Sequence, residues 1–179
     1  MSVIPIMALP RAFVGFSSTD LHSYRLMLAW KAHEHIEFNF ADCQLLKELN
    51  SEDEDYIKLR CRARINMAGT YIMLIGADTR SKHRYVRWEA EVALEKECRI
   101  IGVNLDGWRK MNKETCPPVI QDIGAIFVPF SPQIVAYALA HARWRDSKNW
   151  NFKDGVYTKL GYALIGNHAE RKKSHNPFL

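Results

Sequence analysis

Cysteine is scarce in this chain. The four present, Cys43, Cys61, Cys98 and Cys116, are far apart and form no Cys-x-x-Cys pair in the 179 residues. That spacing excludes a zinc knuckle and a dense disulfide framework, and it fits a reducing compartment. Long apolar runs are missing as well. None approaches the roughly 18 residues of a membrane-spanning helix. The opening Met1-Ser2-Val3-Ile4-Pro5-Ile6-Met7 has neither the basic flank nor the apolar core of a signal peptide. The expected location is therefore cytoplasmic, with no membrane partner. No strong excess of one charge exists either. Twenty-five basic residues against 20 acidic give a formal +5, compatible with a small anionic ligand, and nucleic acid is not expected as a partner. His33 and His35 stand two apart, so on a helix they do not share a face, and no metal site is expected.

What is present is an ordinary globular composition, 47% hydrophobic and 25% charged, long enough for one domain with a full core. Apolar runs at Ala12–Phe16, Tyr71–Gly76, Arg99–Asn104 and Ala125–Pro129 suit buried parallel strands, and Ile36–Phe40 alternates like an edge strand. Helical patterns lie between them. One runs from Leu21 to about Ala32, with Ser17 to Asp20 as possible caps. Another spans Asp55–Met67 behind a Ser51–Glu54 capping box. A last one starts at Pro132 with Ser131 as its cap. Strands alternating with helices predict an α/β fold, a doubly wound parallel sheet with helices on both faces. The domain is expected over 8–145. Residues 146–179, an aromatic extension and a basic tail, are not expected to form a domain of their own.

Common occupants of such a sheet leave no signature here. The turn after the first strand, Phe16-Ser17-Ser18, has no acidic cluster for a phospho-acceptor site. Gly15 alone does not make a Gly-x-Gly-x-x-Gly loop. There is no Walker motif and no Gly-x-Ser-x-Gly elbow. The distinctive stretch is Asp78 to Lys96. On a helical wheel Tyr85, Val86, Trp88, Val92 and Ala93 make one apolar arc, with Glu89 in its middle, while Arg87, Glu91 and Glu95 fall on the solvated side. A carboxylate flanked by apolar side chains is costly unless it has a partner or a task. An arginine partner, a capped backbone group and a functional role all satisfy that condition.

Arg84-Tyr85-Val86-Arg87-Trp88-Glu89, following a strand and an Ile-Gly-x-x-Thr loop, resembles the aromatic-Val-x-x-Glu motif of TIR domains. More narrowly, the chain resembles the TIR-like ThsB-type proteins of bacterial Thoeris antiphage defence. Phe13-Val14-Gly15-Phe16-x-x-x-Asp20, Leu74-Ile75-Gly76-x-x-Thr79 and Ile100-Ile101-Gly102-Val103-Asn104 carry the likeness further. The family often has Ser or Thr where this chain has Gly15, and Trp where it has Tyr85. The resemblance implies the flavodoxin-like strand order 2-1-3-4-5, with a crevice at the carboxyl ends of strands 1 and 3. It implies NAD+ as substrate, no separate cofactor, and a cyclic ADP-ribose isomer as product, a diffusible nucleotide read by a downstream effector. Glu89 is then the catalytic carboxylate. Phe16, Ser17, Asp42, Gly76, Asp78, Arg84 and Tyr85 are the expected substrate-binding residues. Phe16 serves equally as core packing. Arg80, Lys82 and Arg84 are candidate pyrophosphate partners or plain surface charges. The loop Ala41–Asn50 occupies the position such proteins use for self-association. The helix bearing Lys58, Arg60, Arg62 and Arg64 is either a partner surface or a solvated face, and an inactive adaptor is the alternative function.

Overall fold

The computed structural model describes residues 11–30, 39–41, 54–81, 84–143 and 148–163. Asp42 with the rest of the loop to Asn50, His33, His35, Lys82 and most of the Ser51–Glu54 capping box lie outside them, as do the Arg84 side chain and the basic tail.

Four strands form a parallel sheet. β1 (Arg11–Gly15) pairs with β3 (Thr70–Ile75), β3 with β4 (Arg99–Asn104), and β4 with β5 (Ile126–Pro129). A short β2 (Asn39–Ala41) runs parallel to β1, with Ala41 opposite Phe13. All six residues of β3 are buried, which explains why its sequence shows no polar alternation: both faces are covered.

Residues of period two divide into two cores. Val14, Ile72, Leu74, Val103 and Val128 face one way, under α1 (Leu21–Trp30) and α4 (Pro132–His141). Phe13, Tyr71, Met73, Ile75 and Phe127 face the other way, under α2 (Glu54–Met67) and α3 (Arg84–Glu95). The wheel for α3 agrees with the packing: Val86, Ala90, Val92 and Ala93 are buried, and Arg87 Nε bonds Glu91 Oε1 in solvent at 2.8 Å. Pro132 opens α4 as expected, but the Ser131 side chain does not cap it; its hydroxyl donates to Gln133 Oε1.

The aromatic extension belongs to the first core. Phe152 and Tyr157 are buried in it, and Phe152 meets Tyr137 edge-on at 5.0 Å. A short helix, α5 (Asp154–Lys159), follows, which the sequence pattern did not foresee. Trp150 pairs with the outer edge of β5: Phe127 N–H donates to its carbonyl, and its own N–H donates to the carbonyl of Ala125. Asn149 Oδ1 accepts from the Ala125 N–H. Among the described residues no helix is long and apolar enough to cross a membrane.

Candidate functional site

The carboxyl ends of β1 and β3 carry a polar latch. Gly76, at the end of β3, donates its N–H to Thr79 Oγ1 at 2.8 Å, and that hydroxyl donates to Asp20 Oδ2 at 3.3 Å. Thr19 donates its hydroxyl to both oxygens of Asp78, at 2.9 and 3.0 Å. Its single proton is thereby used, so the 2.9 Å bond with Ser17 runs from Ser17 Oγ to Thr19 Oγ1. Two segments 59 residues apart in sequence are tied by these bonds. Ser17 to Asp20 were candidate caps; Ser17 makes no side-chain cap bond, and the Ser18–Asp20 turn instead sends Thr19 and Asp20 across to the loop after β3.

On the α3 face of the sheet, against Gly15 at the end of β1, lies Glu89. It is fully enclosed, at 0% exposure, whereas its neighbour on the solvated side, Glu91, is exposed. Its Oε2 stands 2.9 Å from where a Cβ on residue 15 would be. The Tyr71 hydroxyl is closer still to that point, and its Cζ lies 2.8 Å away. Only glycine fits there, because a phenol and a carboxylate already share the volume. Burial first, then the charge of Glu89 and that of Cys61, hold the Tyr71 phenol well above its ordinary range, so it stays neutral.

The other expected site residues are dispersed. Gly76, Asp78 and Ser17 meet in the latch. Phe16 is buried and stacks on Tyr24, ring centroids 4.5 Å apart, in the core on the opposite side of the sheet from Tyr71 and Val86. Tyr85 is half-buried in the first turn of α3. Asp42 and the side chain of Arg84 fall outside the described residues. Arg80 donates to the carbonyl of Lys113, which links the loops after β3 and β4. A cleft of about 320 Å³, lined by Arg87, Pro117, Pro118 and Val119, lies by the solvated face of α3. Among the described residues no group of three or more His, Cys, Asp or Glu could hold a metal ion.

Tyr71, Thr19, Asp20 and Thr79 were not singled out as site residues. Asp20 and Thr79 stand inside the quoted motifs, but nothing in either motif shows that they pair across 59 residues. Tyr71 had one signal, a hydroxyl at the head of the aliphatic run Tyr71–Gly76 that must end against something polar.

A parallel α/β sheet with helices on both faces agrees with a TIR-like fold. The family described as Thoeris protein ThsB, TIR-like domain, matches residues 13–110. The chain belongs to that family. The match runs from β1 past β4 and takes in Gly15, Asp20, Tyr71, Gly76, Thr79 and Glu89. Membership associates the chain with antiphage defence. A search of curated proteins finds no match.

Proposed function

We propose that the chain is an NAD+-cleaving enzyme that releases nicotinamide and returns a cyclic ADP-ribose isomer as a defence signal. One observation carries this reading: Glu89, inside the family segment, is held in a dry setting beside the end of β1. Nicotinamide leaves neutral from a cationic substrate, so little acid catalysis is needed. The hard step is the oxocarbenium-like ribosyl cation. A carboxylate beside the ribose orients the sugar and stabilises that charge, and it does so more strongly where water is excluded. The five-strand order 2-1-3-4-5 and a crevice at the β1/β3 switch belong to the same reading; the pairing of β2 with β1 supports them. Ser17, Gly76 and Asp78 then border the crevice, with Asp42, Arg84 and Tyr85 as further contacts. NAD+ is substrate and no separate cofactor takes part.

Because Glu89 has no exposed surface, a sugar reaches it only after the surrounding packing moves. The enclosed arrangement is thus a resting state, and activity depends on a trigger. The test is nicotinamide release from NAD+ in lysate of phage-infected cells, wild type against Glu89→Gln. Loss of the carboxylate should slow release by about a hundredfold or more; equal rates would end the assignment.

A second reading, an inactive assembly module, has its own observation: Tyr56, Leu59 and Met67 are exposed on α2, Leu59 at 66%. The basic side of that helix is partly neutralised within the chain, by Lys58–Glu54 and Arg62–Glu95 contacts. Sedimentation of Leu59→Glu separates the two, since only an assembly built on α2 loses mass.

A further inference from the structure

We propose that Tyr71 is the positioning residue for Glu89, its hydroxyl standing in the place of a residue-15 side chain and fixing the carboxylate against the end of β1. The inference rests on Glu89 being the working carboxylate. Tyr71 pairs with Phe13 across β1 and β3 and stacks on it, ring centroids 5.9 Å apart. From there its ring extends along β1 until the hydroxyl covers Gly15. The same hydroxyl points its proton toward the carbonyl of Val86, at a long 3.5 Å. Val86 lies three residues before Glu89 on α3, so the phenol touches the first turn of the helix that presents the carboxylate.

Phenylalanine would fill this core position equally well and would spare the cost of burying a hydroxyl. The hydroxyl is therefore informative, and it sits beside a carboxylate in a dry environment, where a charge-assisted hydrogen bond is strong. A bond to the Val86 carbonyl at that length is weak, and a phenolic proton has a second position in the plane of its ring, on the other side of the C–O bond. The proton can thus serve Glu89. Being neutral, Tyr71 donates and does not take part in proton transfer; it holds the carboxylate in place. Gly15 and Tyr71 form one unit: the bare backbone at residue 15 leaves the space that the Tyr71 hydroxyl and the Glu89 carboxylate fill.

The test is a double-mutant cycle of Tyr71→Phe and Glu89→Gln in the whole chain. Both changes preserve volume. Thermal unfolding should show coupling: the double variant should not melt at the temperature that the sum of the single shifts gives. In the triggered enzyme, Tyr71→Phe should lower kcat roughly ten- to a hundredfold with KM unchanged, the scale of one hydrogen bond to a charged group. It should have no further effect in the Glu89→Gln background. Additive melting shifts overturn the contact. Coupled melting with an unaltered kcat overturns the positioning role. If Glu89→Gln leaves cleavage intact, the reading of Glu89 as catalytic fails on its own, and the melting cycle still decides whether Tyr71 holds it. A preparation that does not cleave NAD+ is judged by that cycle alone.

Discussion

Replacing Gly76 by alanine probes the latch between β1 and β3. The φ of this glycine is not in the left-handed region, so alanine has no conformational objection. On entropy alone it should stabilise by about 0.4–1 kcal/mol through the unfolded chain. The opposing effect is larger. A Cβ there would stand 2.6 Å from Asp20 Oδ2 and 2.7 Å from its Cγ, below the 3.0 Å that real contacts respect. The nearest atoms all belong to Asp20, whose short side chain cannot swing aside and keep the Thr79 bond. Losing hydrogen bonds to a charged group costs about 1.5–3 kcal/mol. Net of the entropic gain about 0.5–2.6 kcal/mol remains, and in a chain of this length each kcal/mol moves Tm by about 2–4 °C, so the variant should melt roughly 1–10 °C lower. The sign should reverse in an Asp20→Ala background, where the obstacle is gone and only the entropic gain remains. Calorimetry of wild type, both single variants and the double variant reads all four corners. The reasoning fails if Gly76→Ala melts with wild type, or if its penalty is the same in both backgrounds.

Burial pushes the Tyr157 phenol up to about 12, with Arg109 pulling the other way. Below the ordinary value of 10.0 neither folded nor unfolded chain loses this proton. Above it the unfolded chain ionises first, so stability falls between pH 10 and 12 by about 2–3 kcal/mol. Tyr157→Phe should flatten that part of the Tm-against-pH curve relative to wild type, and parallel curves would refute the assignment. Asn149 accepts from the N–H groups of Ile123 and Ala125 and donates to the carbonyl of Ile120. Asn149→Ala should cost about 2–4 kcal/mol in urea unfolding, while Lys148→Ala, at an exposed neighbour, should cost nothing measurable. Equal effects would mean that the Asn149 side chain is not what secures this turn.

Strands were legible because burial on both faces leaves uninterrupted apolar runs. β4 lies where the sequence put it, at Arg99–Asn104, and β1 and β3 each sit one residue earlier than expected, at Arg11–Gly15 and Thr70–Ile75. Helix α3 was legible because one apolar arc and one charged face differ so clearly, and the same contrast placed Glu89 on the buried side. Contacts between segments distant in sequence were not legible. Thr19 sits where hydroxyls usually cap their own helix, and nothing local shows that an aspartate 59 residues later competes for it. Nothing in the sequence around Gly15 shows that a tyrosine ring from the neighbouring strand covers it. Helix α5 has only six residues, too few for a periodic signal, and it forms because Phe152 and Tyr157 dock on a core already built.

The outer margin of β5 bears on how these molecules can associate. Ala125 gives its N–H to Asn149, Phe127 gives its N–H to Trp150, and Pro129 has none to give. Among the described residues this margin offers a foreign strand no N–H from Ala125, Phe127 or Pro129 on which to register, which disfavours β-augmentation and edge-to-edge stacking there. A filament or ring of such chains, if one forms during infection, must join through side-chain surfaces on this flank and leave the backbone ladder alone.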